Sequence, residues 1–196
     1  RIQTMPSLKG TQTEKNLLIA FAGESQARNR YTFFASQAKK EGYIQISKVF
    51  EETANQEKEH AERLFKFLEG GLVRIEWDFP AGVIGDTAEN LVAAANGEKE
   101  EYTEMYPSFA KVAREEGFEE IAQVMGAISV AEKHHEERYL TLLSELQKDE
   151  TFKKSERIVW ECLNCGYLHI GTEPPEKCPA CAHAKGYFAR KRECWK

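Results

Sequence analysis

The sequence predicts an all-α four-helix bundle followed by a small cysteine-containing domain. Between residues 11 and 147 the chain is rich in Ala, Glu, Lys, Leu and Gln, and its prolines are confined to Pro80 and Pro107, so long helices dominate. Apolar residues recur there in steps of three and four, whereas all five cysteines lie after residue 160. We therefore predict a helical domain over 7–147, a charged linker over 148–157 and a second domain over 158–196.

Four helices are expected in the first domain, joined as two hairpins. Their predicted spans are 13–40, 44–69, 87–116 and 118–147. Gly42 and Gly117 end the first and third helices, because a glycine in the left-handed conformation lets the chain turn tightly into an antiparallel neighbour. Residues 70–85 contain four glycines and Pro80 and are too long for a tight turn. This segment is predicted to cross from one hairpin to the other, as in bundles with one long connection.

The two hairpins repeat each other in sequence at a shift of 75 positions, as four pairs of matching residues illustrate. The pairs are Tyr31 and Tyr106, Gly42 and Gly117, Glu57 and Glu132, and His60 and His135. Glu24 corresponds to Glu98 at a shift of 74 instead. One residue has therefore been gained or lost between Glu24 and Tyr31 relative to the second half.

The composition excludes several classes of partner. Thirty-two acidic and 27 basic residues give a net charge of -5, and the helical part has no Lys/Arg-rich patch, so we expect no nucleic acid. No apolar run approaches the roughly 20 residues that span a bilayer, and no segment has the pattern of a signal peptide. We therefore expect no membrane partner and a cytoplasmic location. An odd number of cysteines at one end of the chain favours metal ligation over a disulfide framework.

Each predicted helix directs a glutamate towards the core of the bundle. These residues are Glu24, Glu57, Glu98 and Glu132, each on the apolar stripe of its helix. An ionised carboxylate in a dry core is strongly destabilising unless it is paired or ligated, and four at one level repel one another. The sequence therefore predicts that cations bind between them.

Two Glu-x-x-His motifs on these stripes add imidazole nitrogens. His60 and His135 each follow a core glutamate by three residues, about one helical turn. A single such motif is usually a solvated face, but two copies related by the repeat favour a metal site. Four glutamates and two histidines are the ligand set of ferritin-like di-iron carboxylate proteins, and iron or manganese suits these ligands, with zinc as an alternative.

Other residues near this level have two interpretations. Glu101, one turn after Glu98, is either a seventh ligand or one surface charge among several. Tyr31 and Tyr102 are either hydrogen-bond donors to a ligand carboxylate or ordinary core tyrosines. His134, rotated by about 100° from its neighbour, is expected at the surface.

The second domain carries two Cys-x-x-Cys motifs. Cys162 with Cys165 and Cys178 with Cys181 supply four thiolates that form a tetrahedral site for zinc or for a single iron. The spacing alone does not distinguish a structural zinc ribbon from an iron centre. Cys194 lies outside both pairs and is expected to be a free thiol.

From about residue 7 to residue 195, these motifs and their order resemble those of the rubrerythrin family. The resembling stretches are 21–31 (FAGESQARNRY), 57–60 (EKEH), 101–107 (EYTEMYP), 162–167 (CLNCGY) and 178–181 (CPAC). The resemblance implies a ferritin-like domain followed by a rubredoxin-like domain, and it favours iron over zinc at the cysteines. It also implies three iron ions per chain, a di-iron pair and one iron bound by four cysteines, with zinc as a substitute.

The resemblance further implies a role for each candidate ligand. Glu57 and Glu132 would bridge the two irons, Glu24 and Glu101 would bind one, and Glu98 and His135 would bind the other. His60 would replace Glu101 on the first iron when the pair is reduced.

The implied activity is reduction of hydrogen peroxide to water, in defence against oxidative stress. Electrons would reach the di-iron pair through the cysteine-bound iron from a separate reductase or rubredoxin, because the chain has no Gly-x-Gly-x-x-Gly segment for a dinucleotide. Family members pair head to tail, with one subunit's cysteine-bound iron near the other's di-iron site, so a homodimer or higher homo-oligomer is expected. Two alternatives stay open: a ferroxidase or iron-storage protein, and a zinc-stabilised helical interaction protein.

Overall fold

The structure is a computed structural model that describes residues 7–192, so Cys194 lies outside the described residues. Its helical part consists of five α-helices and one π-helical turn. These are α1 (Gln12–Lys40), α2 (Ile44–Phe65), α3 (Thr87–Glu100), the π-turn (Glu101–Met105), α4 (Tyr106–Glu115) and α5 (Glu119–Gln147). Because α3, the π-turn and α4 are continuous, they form the third long helix of a four-helix bundle. The predicted fold class is confirmed.

The second helix is shorter than predicted and ends at Phe65 rather than near residue 69. The amides of Phe67 and Leu68 bond to carbonyls three residues back, so the last turn is tightened. Gly70 and Gly71 then take φ values of 78° and 94°, which no right-handed helix contains. The two glycines therefore begin the crossover.

The two hairpins turn at the predicted glycines, whose φ values are 87° and 86°. A glutamate in each hairpin loop also caps the N-terminus of the first helix of the other hairpin. Glu41 accepts hydrogen bonds from the amide and hydroxyl of Thr87 at the start of α3, at 3.0 and 2.5 Å. Glu116 accepts the same two bonds from Thr13 near the start of α1, at 2.8 and 2.6 Å. A carboxylate at a helix N-terminus satisfies free amides and complements the helix dipole. These reciprocal caps tie the two halves of the bundle together.

Two apolar clusters fill the bundle, and the inward glutamates lie between them. On α1, Glu24 stands between Ala20 of the first cluster and Ala27 of the second. On α5, the segment with the second Glu-x-x-His motif stands between Ile128 of the first cluster and Tyr139 of the second. The acidic layer is therefore enclosed by apolar packing on both sides.

The second domain is built on a three-stranded antiparallel sheet with the order β2-β1-β3. Its strands are β1 (Ile158–Cys162), β2 (Leu168–Gly171) and β3 (Phe188–Arg190). Trp160 is buried, and its indole N–H donates to the carbonyl of Gly171 at 3.0 Å. Trp160 packs with Phe188 and with the buried cysteines, which gives this small domain its own core.

The second domain packs against the N-terminal half of α2. The backbone of Gly186 approaches Gly42 so closely that a Cβ at position 186 would stand 2.0 Å from the Gly42 carbonyl oxygen. Lys48 of α2 donates to the carbonyl of Leu163 at 3.2 Å. Within residues 7–192, no helix combines the length and the apolar character needed to cross a membrane.

Candidate metal centres

The four long helices bring six of the seven predicted ligands of the bundle into one cluster. The ligand atoms form two groups of four, and within each group all atoms lie within 4.8 Å of one another. One group is Glu24, Glu57, His60 and Glu132, and the other is Glu57, Glu98, Glu132 and His135. Because Glu57 and Glu132 belong to both groups, they would bridge two ions held here.

The polar atoms of this cluster are close together but poorly satisfied. His135 Nδ1 lies 2.8 Å from Glu132 and 3.1 Å from Glu57, yet its orientation gives no hydrogen bond to either. Within residues 7–192, carboxylate oxygens of all four inward glutamates are also buried without a hydrogen-bond partner. Carboxylate oxygens and imidazole nitrogens that converge in a buried cluster without satisfying one another suit a cation. The donor set therefore fits a pair of metal ions that prefer carboxylate oxygen and imidazole nitrogen.

Burial and mutual repulsion favour the protonated forms of these acids. Burial, and then the charge of Glu57, raises the pKa of Glu24 to about 7, and the same two causes raise the pKa of Glu98. Burial tends to lower the pKa of His60 and His135, but the adjacent carboxylates outweigh it and raise both pKa values. Metal binding at this cluster is therefore coupled to proton release.

Two buried tyrosines each hold a carboxylate of the opposite hairpin. Tyr31 donates to Glu98 at 2.6 Å, and Tyr106 donates to Glu24. Burial raises the pKa of both phenols, so both keep the proton that they donate. Tyr31 was a predicted candidate and Tyr106 was not. The repeat pairs Tyr31 with Tyr106, and that pairing is the signal in the sequence that identifies the second tyrosine.

The π-turn explains why Tyr106, and not Tyr102, faces the cluster. Tyr102 donates to Glu136 at 2.8 Å, away from both ligand groups, so the first of its two interpretations, as a donor to a ligand carboxylate, is wrong. A π-turn accommodates one more residue than an α-helical turn, and such turns are frequent at functional sites. The repeat shift changes from 74 at Glu98 to 75 at Tyr106, so the second half has one extra residue between these two positions. The π-turn accommodates that residue.

Glu101 is the seventh predicted ligand, and it belongs to neither group of four. It is the first residue of the π-turn, and its carboxylate has no hydrogen bond or ion pair with residues 7–192. His60 Nδ1 lies instead 2.9 Å from Glu132 and 3.1 Å from Glu57. The cluster therefore contains His60 and leaves Glu101 beside it. His134 is exposed, as predicted.

The four predicted cysteine ligands of the second domain form a compact group. Cys162 and Cys181 have their sulfurs 3.7 Å apart, and so do Cys165 and Cys178. Four sulfurs placed about 2.3 Å from a central ion are about 3.8 Å apart in a regular tetrahedron. The backbone N–H of His183 donates to Cys181 and lowers the pKa of this thiol to about 6, which favours the thiolate. The arrangement fits one ion bound by four thiolates.

The fold and the two sites define a two-domain di-iron oxidoreductase, in which a ferritin-like bundle carries the carboxylate site and a rubredoxin-like domain carries the four-cysteine site. A family model described as rubrerythrin matches residues 15–143, and one described as rubrerythrin, rubredoxin-like domain, matches residues 160–189. The chain belongs to the rubrerythrin family.

Similar proteins cover almost the whole chain. Rubrerythrin of Nitratidesulfovibrio vulgaris is 60% identical over 184 residues, which is 94% of this chain and 96% of that protein. Rubrerythrin of Porphyromonas gingivalis is 60% identical over 93% of this chain and 91% of that protein. The solved structure of nigerythrin in its fully reduced, all-ferrous state has a TM-score of 0.63 and 34% identity, over 97% of this chain and 91% of that one. The predicted family is confirmed.

Proposed function

We propose that this protein is a peroxidase that reduces hydrogen peroxide to water, in defence against oxidative stress, with three iron ions per chain. The observation that carries the proposal is the pair of overlapping four-ligand groups, joined in one chain to a four-thiolate site. Iron storage and ferroxidase activity need no thiolate site in the same chain. A reaction that consumes electrons from an external donor, in contrast, needs a second metal site that can pass those electrons to the bundle.

The residues of the bundle hold the reacting centre and exclude water from it. Glu57 and Glu132 would join two ions, and Tyr31 and Tyr106 fix carboxylates on either side through their hydroxyl protons. The apolar clusters above and below the acidic layer limit solvent access. Bound iron supplies the electrons that cleave the oxygen–oxygen bond of peroxide.

Reduction of one hydrogen peroxide to two waters consumes two electrons and two protons. Burial, and then the charge of Glu24, raises the pKa of Glu101, so its carboxyl group is suited to hold a proton. Glu101 is also only partly buried, unlike the glutamates of the two groups. We assign it the transfer of protons from solvent to the reacting oxygen, as a general acid.

The second domain is proposed to deliver the electrons, which come from a separate reductase or rubredoxin. Its contact with α2 through Lys48 lies about nine residues from Glu57, or about 14 Å along the helix. We also propose a homodimer or higher homo-oligomer, as the family resemblance implies. Apolar side chains exposed on three helices, Phe33, Phe65 and Leu140, are available to such an interface.

Anaerobic mixing of the reduced, iron-loaded protein with stoichiometric peroxide tests the proposal. We expect reoxidation to be faster with peroxide than with dioxygen. Equal or slower reoxidation by peroxide would contradict the peroxidase proposal and favour a ferroxidase. Cys181→Ser is the matched control, because it removes a thiolate and leaves the bundle ligands intact. This variant should still react once with peroxide but should fail in repeated turnover with the reductase.

The colour of the protein tests which metal the cysteines bind. Iron at this site gives a red protein that dithionite bleaches. A colourless, zinc-loaded and iron-free protein from iron-replete cells would instead support a zinc-stabilised interaction protein.

A further inference from the structure

A small cleft lies beside Glu101, between α1, the π-turn and the crossover segment. Its volume is about 50 Å³, and residues 77–80 of the crossover cover it. One water molecule needs about 10–15 Å³ of cavity volume. The cleft therefore has room for a few water molecules, or for a carboxylate that turns into it. Glu101 itself lines the cleft.

The α1 wall of this cleft carries polar atoms that lack partners. Arg30 Nε and Gln26 Oε1 are buried and have no hydrogen-bond partner within residues 7–192. Both residues line the cleft, and among residues 7–192 Arg30 is the one cation that lines it. Buried polar groups are normally satisfied, so an unpaired guanidinium nitrogen and an amide oxygen in one cleft indicate a polar occupant.

Arg30 is within reach of Glu101. Its Nη2 lies 3.8 Å from the point where a Cβ of Gly97 would stand, so the guanidinium rests over bare backbone of α3. Glu101 follows Gly97 by about one helical turn on the same side of the helix. Arg30 has no ion pair with residues 7–192, and neither has Glu101. Apart from the Tyr31 ring, which lies 5.8 Å from the Arg30 guanidinium carbon, Arg30 has no charged or aromatic partner within residues 7–192. A basic side chain with a free nitrogen and the Glu101 carboxyl group therefore line the same small space.

We propose that Arg30 is a positioning residue that receives the Glu101 carboxylate when His60 takes its place on the metal. In this exchange the cleft is the resting place of Glu101, where the Arg30 guanidinium donates to its carboxylate. A cleft water can donate both to this carboxylate and to the Gln26 amide oxygen, whose amide nitrogen already donates to the Pro80 carbonyl. The inference rests on the proposed function, in which the pair alternates between two oxidation states, and on the exchange of Glu101 for His60 that the family resemblance implies. The proposal adds to that function a residue, Arg30, that sets the equilibrium between the arrangement with Glu101 bound and the arrangement with His60 bound.

The charges give the direction of the effect. Reduction removes positive charge from the pair, and exchanging a carboxylate for a neutral imidazole removes negative charge, so the arrangement with His60 suits the reduced pair. A hydrogen-bonded guanidinium stabilises the carboxylate in the cleft, which favours that same arrangement. Arg30 therefore raises the reduction potential of the pair, and its loss should lower it.

Redox titration of the iron-loaded protein under anaerobic conditions tests this inference. We expect Arg30→Gln to shift the balance towards bound Glu101 by about tenfold, which lowers the potential by about 59 mV for a one-electron step. Arg28→Gln is the matched control, because it removes the same charge from an exposed position of the same helix. Equal shifts in the two variants, or no shift in Arg30→Gln, would overturn the inference.

Gly97→Val is a second variant that keeps the positive charge. Its side chain fills the space under the guanidinium, so it should displace Arg30 and lower the potential in the same direction. An unchanged potential in a folded Gly97→Val protein would count against the inference.

A crystal structure of the all-ferrous protein gives a readout that needs no peroxide chemistry. We expect the Glu101 carboxylate to contact Arg30 directly or through one water. A Glu101 carboxylate that points away from the cleft in this state would overturn the inference. Failure of the wild-type protein to react with peroxide would contradict the proposed function alone, since the potentials and the position of Glu101 can still be measured.

Discussion

Replacing Glu24 with glutamine is expected to stabilise the metal-free protein although it removes a proposed ligand. Glu24 is 1% exposed, and burial together with the charge of Glu57 raises its pKa from 4.5 to about 7. Since each pKa unit between the folded and unfolded states corresponds to about 1.4 kcal/mol, ionisable Glu24 destabilises the metal-free fold by about 3 kcal/mol at pH 7. Glutamine has nearly the same shape, carries no charge and still accepts the hydrogen bond from Tyr106.

The sign of the pH dependence follows from the raised pKa. Between 4.5 and about 7 the folded protein keeps a proton on Glu24 that the unfolded chain has lost. With respect to this group, stability is greatest below the unfolded pKa of 4.5 and falls as the pH rises through about 7. The gain from Glu24→Gln should therefore be small near the unfolded pKa and close to its full value at neutral pH.

Urea denaturation of chelator-treated protein at mildly acidic and neutral pH measures this gain. Glu51→Gln, at an exposed position of α2, is the control and should change stability little at either pH. Loading both proteins with zinc should reverse the order, because wild-type Glu24 then binds a cation. A metal-free Glu24→Gln protein that is less stable than wild type at neutral pH would refute the electrostatic reasoning, and so would a gain that is independent of pH.

Three other changes are expected to have separate effects. Thr87→Ala removes the hydroxyl bond to Glu41 at the start of α3 and should lower the free energy of unfolding by about 1 kcal/mol in urea denaturation. Deleting exposed Thr103 should convert the π-turn to α-helix and rotate the helix on one side of the deletion by about 100° relative to the other side. Metal analysis should then find less metal in the bundle and an unchanged four-cysteine site. Gly186→Ala places a Cβ 2.0 Å from the Gly42 carbonyl oxygen, so the second domain should shift away from α2. Re-reduction of the bundle iron, measured by stopped flow, should then become slower.

Each of these three predictions has a result that contradicts it. Thr32→Ala removes a hydroxyl from the exposed face of α1, and an equal loss of stability in that variant would mean that the cap has no special value. Full metal content after deletion of Thr103 would mean that the π-turn does not set the ligand positions. An unchanged rate of re-reduction in Gly186→Ala would mean that the contact between the domain and α2 in one chain does not affect electron delivery.

Local patterns in the sequence were sufficient for the positions of the four long helices, their two hairpin turns and the residue types of the candidate ligands, but not for the end of α2 or for the π-turn. The two turn glycines lie between amphipathic segments, and a positive φ at such a position is a property of one residue. The inward direction of Glu57 and Glu132 follows from helical periodicity alone. The two Cys-x-x-Cys motifs likewise bring their sulfurs together through local geometry. These features depend on neighbours along the chain, which the sequence specifies directly.

Relations between helices required the tertiary structure. The sequence contained the one-residue difference between its halves, but only packing decided that a π-turn absorbs it after Glu98, with Tyr106 inside and Tyr102 outside. The reciprocal caps, the contact of Gly186 with Gly42 and the cleft that brings Arg30 beside Glu101 also join segments far apart in the chain. Periodicity determines which face of a helix is buried, whereas the partner of a buried group depends on how the faces of several helices meet.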